Sequence, residues 1–203
     1  MRIDENLSLL QAETESKFGF PVIKAEDTEI IDFIGFNYAK SSKADDNKGI
    51  HFFLDDYQFT RIWRDPLKYI PILKKYGCAL SPDFSLYCDM PMVMQMYNHY
   101  RRQWFGAFMQ ANCICTIPTV CWSNVNSFEW CFCGIPRNST IAVSSTGTQK
   151  SKETKVKFLK GYMKMLEVLE PTKIIFFDDV PQECEGNIVH IENFTHKFRN
   201  GGK

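Results

Sequence analysis

The sequence predicts an α/β domain built on a mainly parallel sheet of about six strands with crossover helices, either partial-barrel-like or doubly wound. Three observations predict it. From residue 50 onward, short apolar runs alternate with stretches of helical periodicity. The runs do not alternate apolar with polar residues, as expected of strands covered on both faces. Four of the runs lead directly into Asp or Ser, at Asp55, Ser81, Ser144 and Asp178, residue types of a strand-to-helix turn.

Residues 1–20 are polar, with a weak helical pattern at Leu7 and Leu10, and form an arm. Segments 21–24 and 30–36 are short apolar runs. Residues 40–49 are charged and turn-rich and predict a loop. The division expected is an extension over 1–49 and a single α/β domain over 50–203. Residues 50–54 form an apolar strand that ends in Asp55 and Asp56. Asp65 and Pro66 suit a helix start, Pro71 should kink that helix, and Gly77 suits its exit. Residues 78–80 begin the next strand, which runs into Ser81, Pro82 and Asp83.

A long helix is predicted over 91–112, opened by Asp89 and Pro91. Val93, Tyr97, Tyr100, Trp104, Phe108 and Ala111 fall on one stripe at helical spacing, so they are expected to face the sheet. Gln95, His99, Arg102 and Gln110 fall on the opposite side. Residues 115–120 form a strand that leads into Cys121, Trp122, Ser123 and Asn124, with a short helix near 127–133. Residues 140–143 form another and run into Ser144, Ser145, Thr146, Gly147 and Thr148. A helix over 152–170, with Val156, Leu159, Met163 and Leu166 inward, is ended by Pro171. Strands follow over 173–177, ending in Asp178 and Asp179, and over 187–192. An eight-fold barrel usually needs ~250 residues, so a barrel-like array here would be partial.

The block from His51 to Gly147 carries a resemblance. It includes His51-Phe-Phe-Leu-Asp-Asp-Tyr57, Leu80-Ser-Pro-Asp-Phe-Ser-Leu-Tyr87 and Asp89-Met-Pro91. It continues through Gln95, Asn98, Arg101, Gly106, Gln110, Pro118, Trp122, Gly134-Ile-Pro136 and Ala142-Val-Ser-Ser-Thr-Gly147. This block resembles the uncharacterised domain-of-unknown-function family 4417 of bacterial phages and mobile elements. The resemblance implies such an origin and brings no activity with it.

Charge excludes a surface that is wholly a nucleic-acid footprint, since 24 basic residues meet 24 acidic ones. Local basic patches remain at Arg61, Arg64 and Lys68, at Arg101 and Arg102, and at Lys197, Arg199 and Lys203, each of which also fits a solvated face. No apolar run reaches the ~18 residues of a membrane span. The polar start Met1-Arg2-Ile3-Asp4-Glu5 does not resemble a signal peptide, so the cytoplasm of a bacterial host is the expected location and no membrane partner is expected.

In parallel α/β sheets, ligands bind beyond the carboxyl ends of the strands. Those ends supply the candidate site. Asp55, Asp83 and Asp178 are the candidate catalytic carboxylates, able to act as acid and base if their surroundings split their pKa values. They are also able to hold Mg²⁺. Asp83 equally suits a turn cap after Pro82, and Asp56 a cap on the next segment. Asp56, Ser81 and Arg101 are candidate ligand contacts, and Trp122 is a stacking platform or a core residue. Ser144, Ser145, Thr146, Gly147 and Lys150 form a candidate phosphate seat, without the spacing of a P-loop. No cofactor is indicated.

The expected function is a hydrolase or transferase acting on a nucleotide, nucleoside or nucleic-acid base. The alternatives are a non-catalytic anti-defence protein that binds a host defence protein or sequesters a signalling nucleotide, and an interaction module using Met90 to Met96.

Eight cysteines lie mostly in apolar segments, and Cys113/Cys115 and Cys131/Cys133 lack the Cys-x-x-Cys spacing that zinc usually selects. They are expected to be reduced, buried and metal-free. Alkylation of freshly purified protein under denaturing, non-reducing conditions should label all eight by mass. Two or more protected thiols would overturn this.

Overall fold

The computed structural model describes residues 6–149 and 151–191. A short antiparallel pair, β1 (Thr14–Glu15) and β2 (Phe20–Pro21), comes first. Next are β3 (Asp32–Gly35), α1 (Phe36–Ala39), β4 (Asp45–His51), α2 (Arg61–Arg64), α3 (Pro66–Leu73) and β5 (Tyr76–Leu80). They are followed by α4 (Met92–Ala111), β6 (Thr116–Ile117), β7 (Thr140–Ser144), α5 (Lys152–Leu169), β8 (Lys173–Phe177) and β9 (Ile188–Ile191). Asp56–Gln58 and Val125–Glu129 are 3₁₀ turns.

Strands β3 to β6 pair in parallel, as do β7 to β9. One parallel bridge, Thr119 to Ala142, joins the two sets. There the Val120 amide donates to Ala142 O at 2.8 Å and the Ala142 amide to Pro118 O at 2.9 Å. Strand order across β3–β9 is therefore chain order. A doubly wound sheet reverses its order at a switch point, and this one does not, so the barrel-like alternative is the one found. Seven parallel strands are present among the described residues, one more than expected, because β3 joins the sheet.

The sheet is curled. Strands β3 and β8 stand five positions apart, roughly 24 Å in a flat sheet at about 4.8 Å per strand. Yet the rings of Phe33 and Phe177 lie 5.5 Å apart, and Phe177 also meets His51 at 5.1 Å and Phe53 at 4.7 Å. One core cluster is this concave interior: Phe33, Cys78, Leu80, Ile117, Ala142, Ile175, Phe177 and Ile191, with no helical residue in it. Gly49 makes room for it, since a Cβ there would sit 2.3 Å from the Phe33 ring. Residues of the opposite parity point outward. Ile50 and Ala79 pack under α1–α4, and Ile141, Val143, Ile174 and Phe176 under α5. Among the described residues β3 and β9 share no ladder, so the barrel is not closed.

Several sequence expectations are corrected. Residues 45–49 are strand, not loop, and the boundary drawn at 49/50 falls inside β4. At the polar start of β4, Asp45 pairs with Tyr76 of β5, a register shift follows before Gly49, and Lys48 pairs with β3 and lies 3.4 Å from Asp32. Gly77 does not end α3. It lies inside β5, where a Cβ would stand 2.0 Å from Asp46 O.

Helix α4 keeps its predicted span but not its predicted face. Trp104 and Phe108 are buried and stacked at 4.8 Å. Val93 is 71% exposed, however, while Gln95, Asn98, His99, Arg102 and Gln103 are buried. Helix α5 is rotated in the same sense. Phe158, Gly161, Tyr162, Met165 and Leu169 face inward, and Val156 and Met163 are exposed. Both stripes of α5 have helical spacing. The Trp122 indole favours the observed one, because a Cβ at Gly161 would stand 2.1 Å from Trp122 Nε1. The eight cysteines are free, but Cys88 and Cys113 are exposed rather than buried.

Trp104→Ala should cost about 3–5 kcal/mol in a urea titration, the range for emptying a large core site. Val93→Ser should stay within about 0.5 kcal/mol, as an exposed substitution does. The reverse order would restore the original stripe.

Candidate functional site

The carboxyl ends of the strands form one rim, and helix α4 organises it with its buried polar face. Ser123 Oγ donates to Gln95 Oε1 at 2.6 Å, and Gln95 Nε2 donates to Met90 O at 2.7 Å. Asn98 Nδ2 donates to Ser85 O at 2.7 Å. Gln103 Nε2 donates to Cys133 O at 3.1 Å, and His99 Nε2 lies 2.9 Å from the same oxygen. The loops after β5 and β6 are thus tied to one rigid element. Buried polar groups stay buried when their bonds are made, which is why a face that looked solvated is inside.

Arg102 is the centre of this face. Its side chain is fully buried. Nη2 donates to Asp83 Oδ1 at 3.1 Å and to Phe84 O at 2.7 Å, while Nε and Nη1 have no protein partner. Asp83 follows β5 and keeps 23% of its side-chain surface in solvent. Burial pushes its pKa up to about 6, against the pull of Arg102 and with the help of nearby Asp56. The thiol of Cys121, at the end of the β6 segment, lies beside both groups and is pushed up to about 12 by burial and Asp83.

A second cluster sits at the mouth of the curled interior. His51 ends β4, Ser144 ends β7 and Asp178 follows β8. Asp178 adopts φ 63°, a left-handed conformation that Asp tolerates better than most residues. Its Oδ2 accepts from Ser144 Oγ at 3.3 Å and from Thr146 Oγ1. Its Oδ1 is buried without a partner, as is His51 Nδ1. Burial pushes the His51 pKa down to about 4, with Asp178 opposing, so its ring is neutral at pH 7.

The predicted site residues divide accordingly. Asp83 and Asp178 stand in the two clusters, with Ser144 and Thr146 beside Asp178. The carboxylate that influences Asp83 is Asp56, not Asp55, which is exposed at the start of the 3₁₀ turn. Asp56 Oδ1 accepts from Ser85 Oγ at 2.7 Å and so joins the loops after β4 and β5. Ser81 is buried and accepts two hydrogen bonds from Thr119, from its amide to Oγ at 2.8 Å and from its hydroxyl to the carbonyl oxygen at 2.6 Å, which links β5 to the segment after β6. Ser145 is buried and donates to Asp179 O at 2.7 Å. Arg101 stacks over Phe84 at 3.9 Å and donates to Asn98. Trp122 packs against Gly161 and, at 5.3 Å, Phe158.

Gly147 is exposed in a turn at φ 76°, and Lys150 lies outside the described residues. Ser144 and Thr146 point their hydroxyls at a carboxylate, which does not favour the phosphate seat predicted there.

Sequence reasoning missed His51, Arg102 and Cys121 as site residues. His51 has the parity of Phe53 and opens the same apolar run, a signal that it faces inward. Among the described residues, no group of three or more His, Cys, Asp or Glu side chains is gathered for a metal, and no helix is long and apolar enough to cross a membrane.

Residues 12–195 match the family model described as Domain of unknown function (DUF4417). The chain is similar to the Gene 1 protein of Mycobacterium phage D29, with 40% identity over 71% of this chain and 54% of that protein. It is also similar to the Gene 1 protein of Mycobacterium phage L5, with 39% identity over 67% of this chain and 59% of that protein. The chain thus spans little more than half the length of these relatives. No solved structure matches.

Asp83 gives a pH signature whose sign follows from its shift. Its folded pKa of about 6 exceeds the ordinary 3.8, so the folded state holds a proton that the unfolded state has released between these values. Its contribution to stability therefore falls as pH rises from 4 to 6 and levels off above. His51 acts oppositely over this range, because its pKa is lowered. Relative to Asp83→Asn, the wild type should lose stability between pH 4 and 6 in paired urea titrations. A pH-independent difference would place Asp83 in an ordinary ionised pair.

Proposed function

The chain belongs to the family Domain of unknown function (DUF4417), and from that premise we propose that it is a phage or mobile-element enzyme. In this reading it is a hydrolase or transferase acting on a nucleotide, nucleoside or nucleic-acid base at the carboxyl rim. The observation that carries the reading is Asp83. A carboxyl group with a pKa pushed up to about 6, partly open to solvent and fixed by a buried guanidinium, can release and recover a proton near neutral pH. Arg102 orients it and offsets its charge when ionised. Burial, helped by Asp56, keeps its proton affinity high.

The mouth supplies the rest of a binding site. His51 Nδ1 and Asp178 Oδ1 have no partner in the protein, and a polar ligand edge would satisfy both. The half-buried Phe53 ring, 4.7 Å from Phe177, offers a flat apolar wall. Because Asp178 takes the hydroxyls of Ser144 and Thr146, this mouth suits the base or sugar of a ligand better than its phosphate.

A second reading, an interaction module, has one supporting observation. The start of α4 exposes Met92 by 49%, Val93 by 71% and Met94 by 48%, with Tyr87 exposed by 58%. Such a patch can receive a host protein.

One experiment separates the two. Purified protein is incubated with a panel of nucleosides, nucleotides and bases, and products are followed by mass spectrometry across pH 5–8. Turnover that falls at least about 100-fold in Asp83→Asn, the scale of a lost acid–base group, with a wild-type pH limb near 6, is the expected result. Turnover that persists in Asp83→Asn would overturn it, as would a panel left unconverted. A phage phenotype abolished by Val93→Asp but not by Asp83→Asn would establish the interaction module instead.

A further inference from the structure

Away from the rim, a cavity of about 470 Å³ opens between α1 and the α2–α3 pair, within the range of small-molecule sites. Three cations line it: Lys40 just after α1, Arg61 at the start of α2, and Lys68 in α3. No carboxylate lines it. The chain has no net charge, so this concentration is not a general excess of base. Elsewhere Lys17, Lys155, Lys157, Lys164 and Lys173 each stand within 3.1 Å of a carboxylate oxygen. Among the described residues Lys40, Arg61 and Lys68 have no such partner, a condition they share with Arg64, Lys74 and Lys75; what sets them apart is that they line one cavity.

The cavity wall is built rather than incidental. The Arg61 guanidinium lies 5.1 Å over the Phe36 ring. Phe36 is itself fixed by stacking on Phe52 at 5.0 Å and by the edge of Tyr69 at 5.5 Å. A guanidinium stacked on a ring holds a set direction and can still present its fork to an anion. Asn37 adds an amide to the lining, and Ser41 a hydroxyl whose hydrogen is given to Tyr38 O at 3.2 Å. A lining with three cations and no acid recognises oxyanions. The planar fork of arginine with two lysine point charges suits phosphate oxygens. Three cations around one cavity match a ligand with more than one phosphate.

We propose that this cavity binds a small ligand carrying a diphosphate group, either free or as part of a nucleotide, at a site separate from the rim. The inference does not rest on the acid–base reading of Asp83.

Isothermal titration calorimetry with inorganic pyrophosphate and with ADP, at 0.15 M salt, tests it. Saturable binding with a Kd below about 100 µM is expected for at least one probe. It should weaken about tenfold in each of Lys40→Ala, Arg61→Ala and Lys68→Ala, the loss of one charge-assisted contact. Lys74→Ala, outside the cavity, should match the wild type. The three cations are exposed, so circular dichroism should show folded variants. Pyrophosphate binding as tightly as ADP assigns the cavity to the diphosphate alone, and ADP binding more tightly assigns it to a nucleotide. Failure of both probes at 1 mM would overturn the proposal. Binding that survives all three substitutions, or is lost in Asp83→Asn instead, would do so too. So would capture of a single-stranded oligonucleotide with neither small probe bound, which would make the face a strand-binding surface.

Discussion

A parallel sheet has two faces to hide, and this chain brings helices to only one of them. The inner face is hidden by curvature. Phe177 on β8 reaches Phe33 on β3, His51 at the end of β4 and Phe53 just after it, contacts that a flat sheet forbids. Small residues make the curl possible. Gly49 and Ala142 leave room in the interior, so the large rings can meet across it. The rest of the architecture follows from that contact. The outward parity is left to the helices, and the carboxyl ends are drawn into a single rim.

Drawing the ends together puts polar residues in places poor in water. The response is a helix whose buried face is polar. Gln95, Asn98, His99, Arg102 and Gln103 are each bonded to a loop of the rim or to the turn at Cys133. A guanidinium buried this deeply is costly unless paired, and Asp83 is the pair. The pairing is incomplete on both sides. Arg102 retains two unpartnered nitrogens and Asp83 retains a raised proton affinity. Groups in that condition are characteristic of sites that act on something else.

Much of the fold was legible because strand ends are chemically marked. Ser-Pro-Asp after β5, Ser-Ser-Thr-Gly after β7 and Asp-Asp after β8 all stand at true strand ends. The start of β4 was hidden because Asp45, Asp46 and Asn47 carry no apolar pattern; only Asp45 of the three pairs, with Tyr76 of β5, and pairing with β3 begins at Lys48. The face of α5 was misjudged because two stripes have helical spacing and only the Trp122 contact at Gly161 decides between them, and that of α4 for a different reason. Hydrophobic periodicity assumes that the buried side is apolar, and α4 breaks the assumption. Of the site, Asp83 and Asp178 could be found by position alone. Arg102 and Cys121 could not, because their role arises from a contact between segments that no local spacing encodes. Asp55 and Asp56 differ by one position, and only the turn that follows β4 decides which of them reaches the loop beyond β5.

Strand order that equals chain order also shapes how the molecule assembles. Each strand from β4 onward pairs with the one made just before it, so most of the sheet can grow by short loop closures along the nascent chain. The meeting of Phe33 with Phe177 is different in kind, because it joins β3 to β8, the first parallel strand to the sixth, across 144 residues of sequence. Until β8 exists, the concave face has nothing to close against and its rings remain wet. A growing chain therefore carries an exposed apolar trough from the folding of β4 until β8 docks, and loses it in that one step.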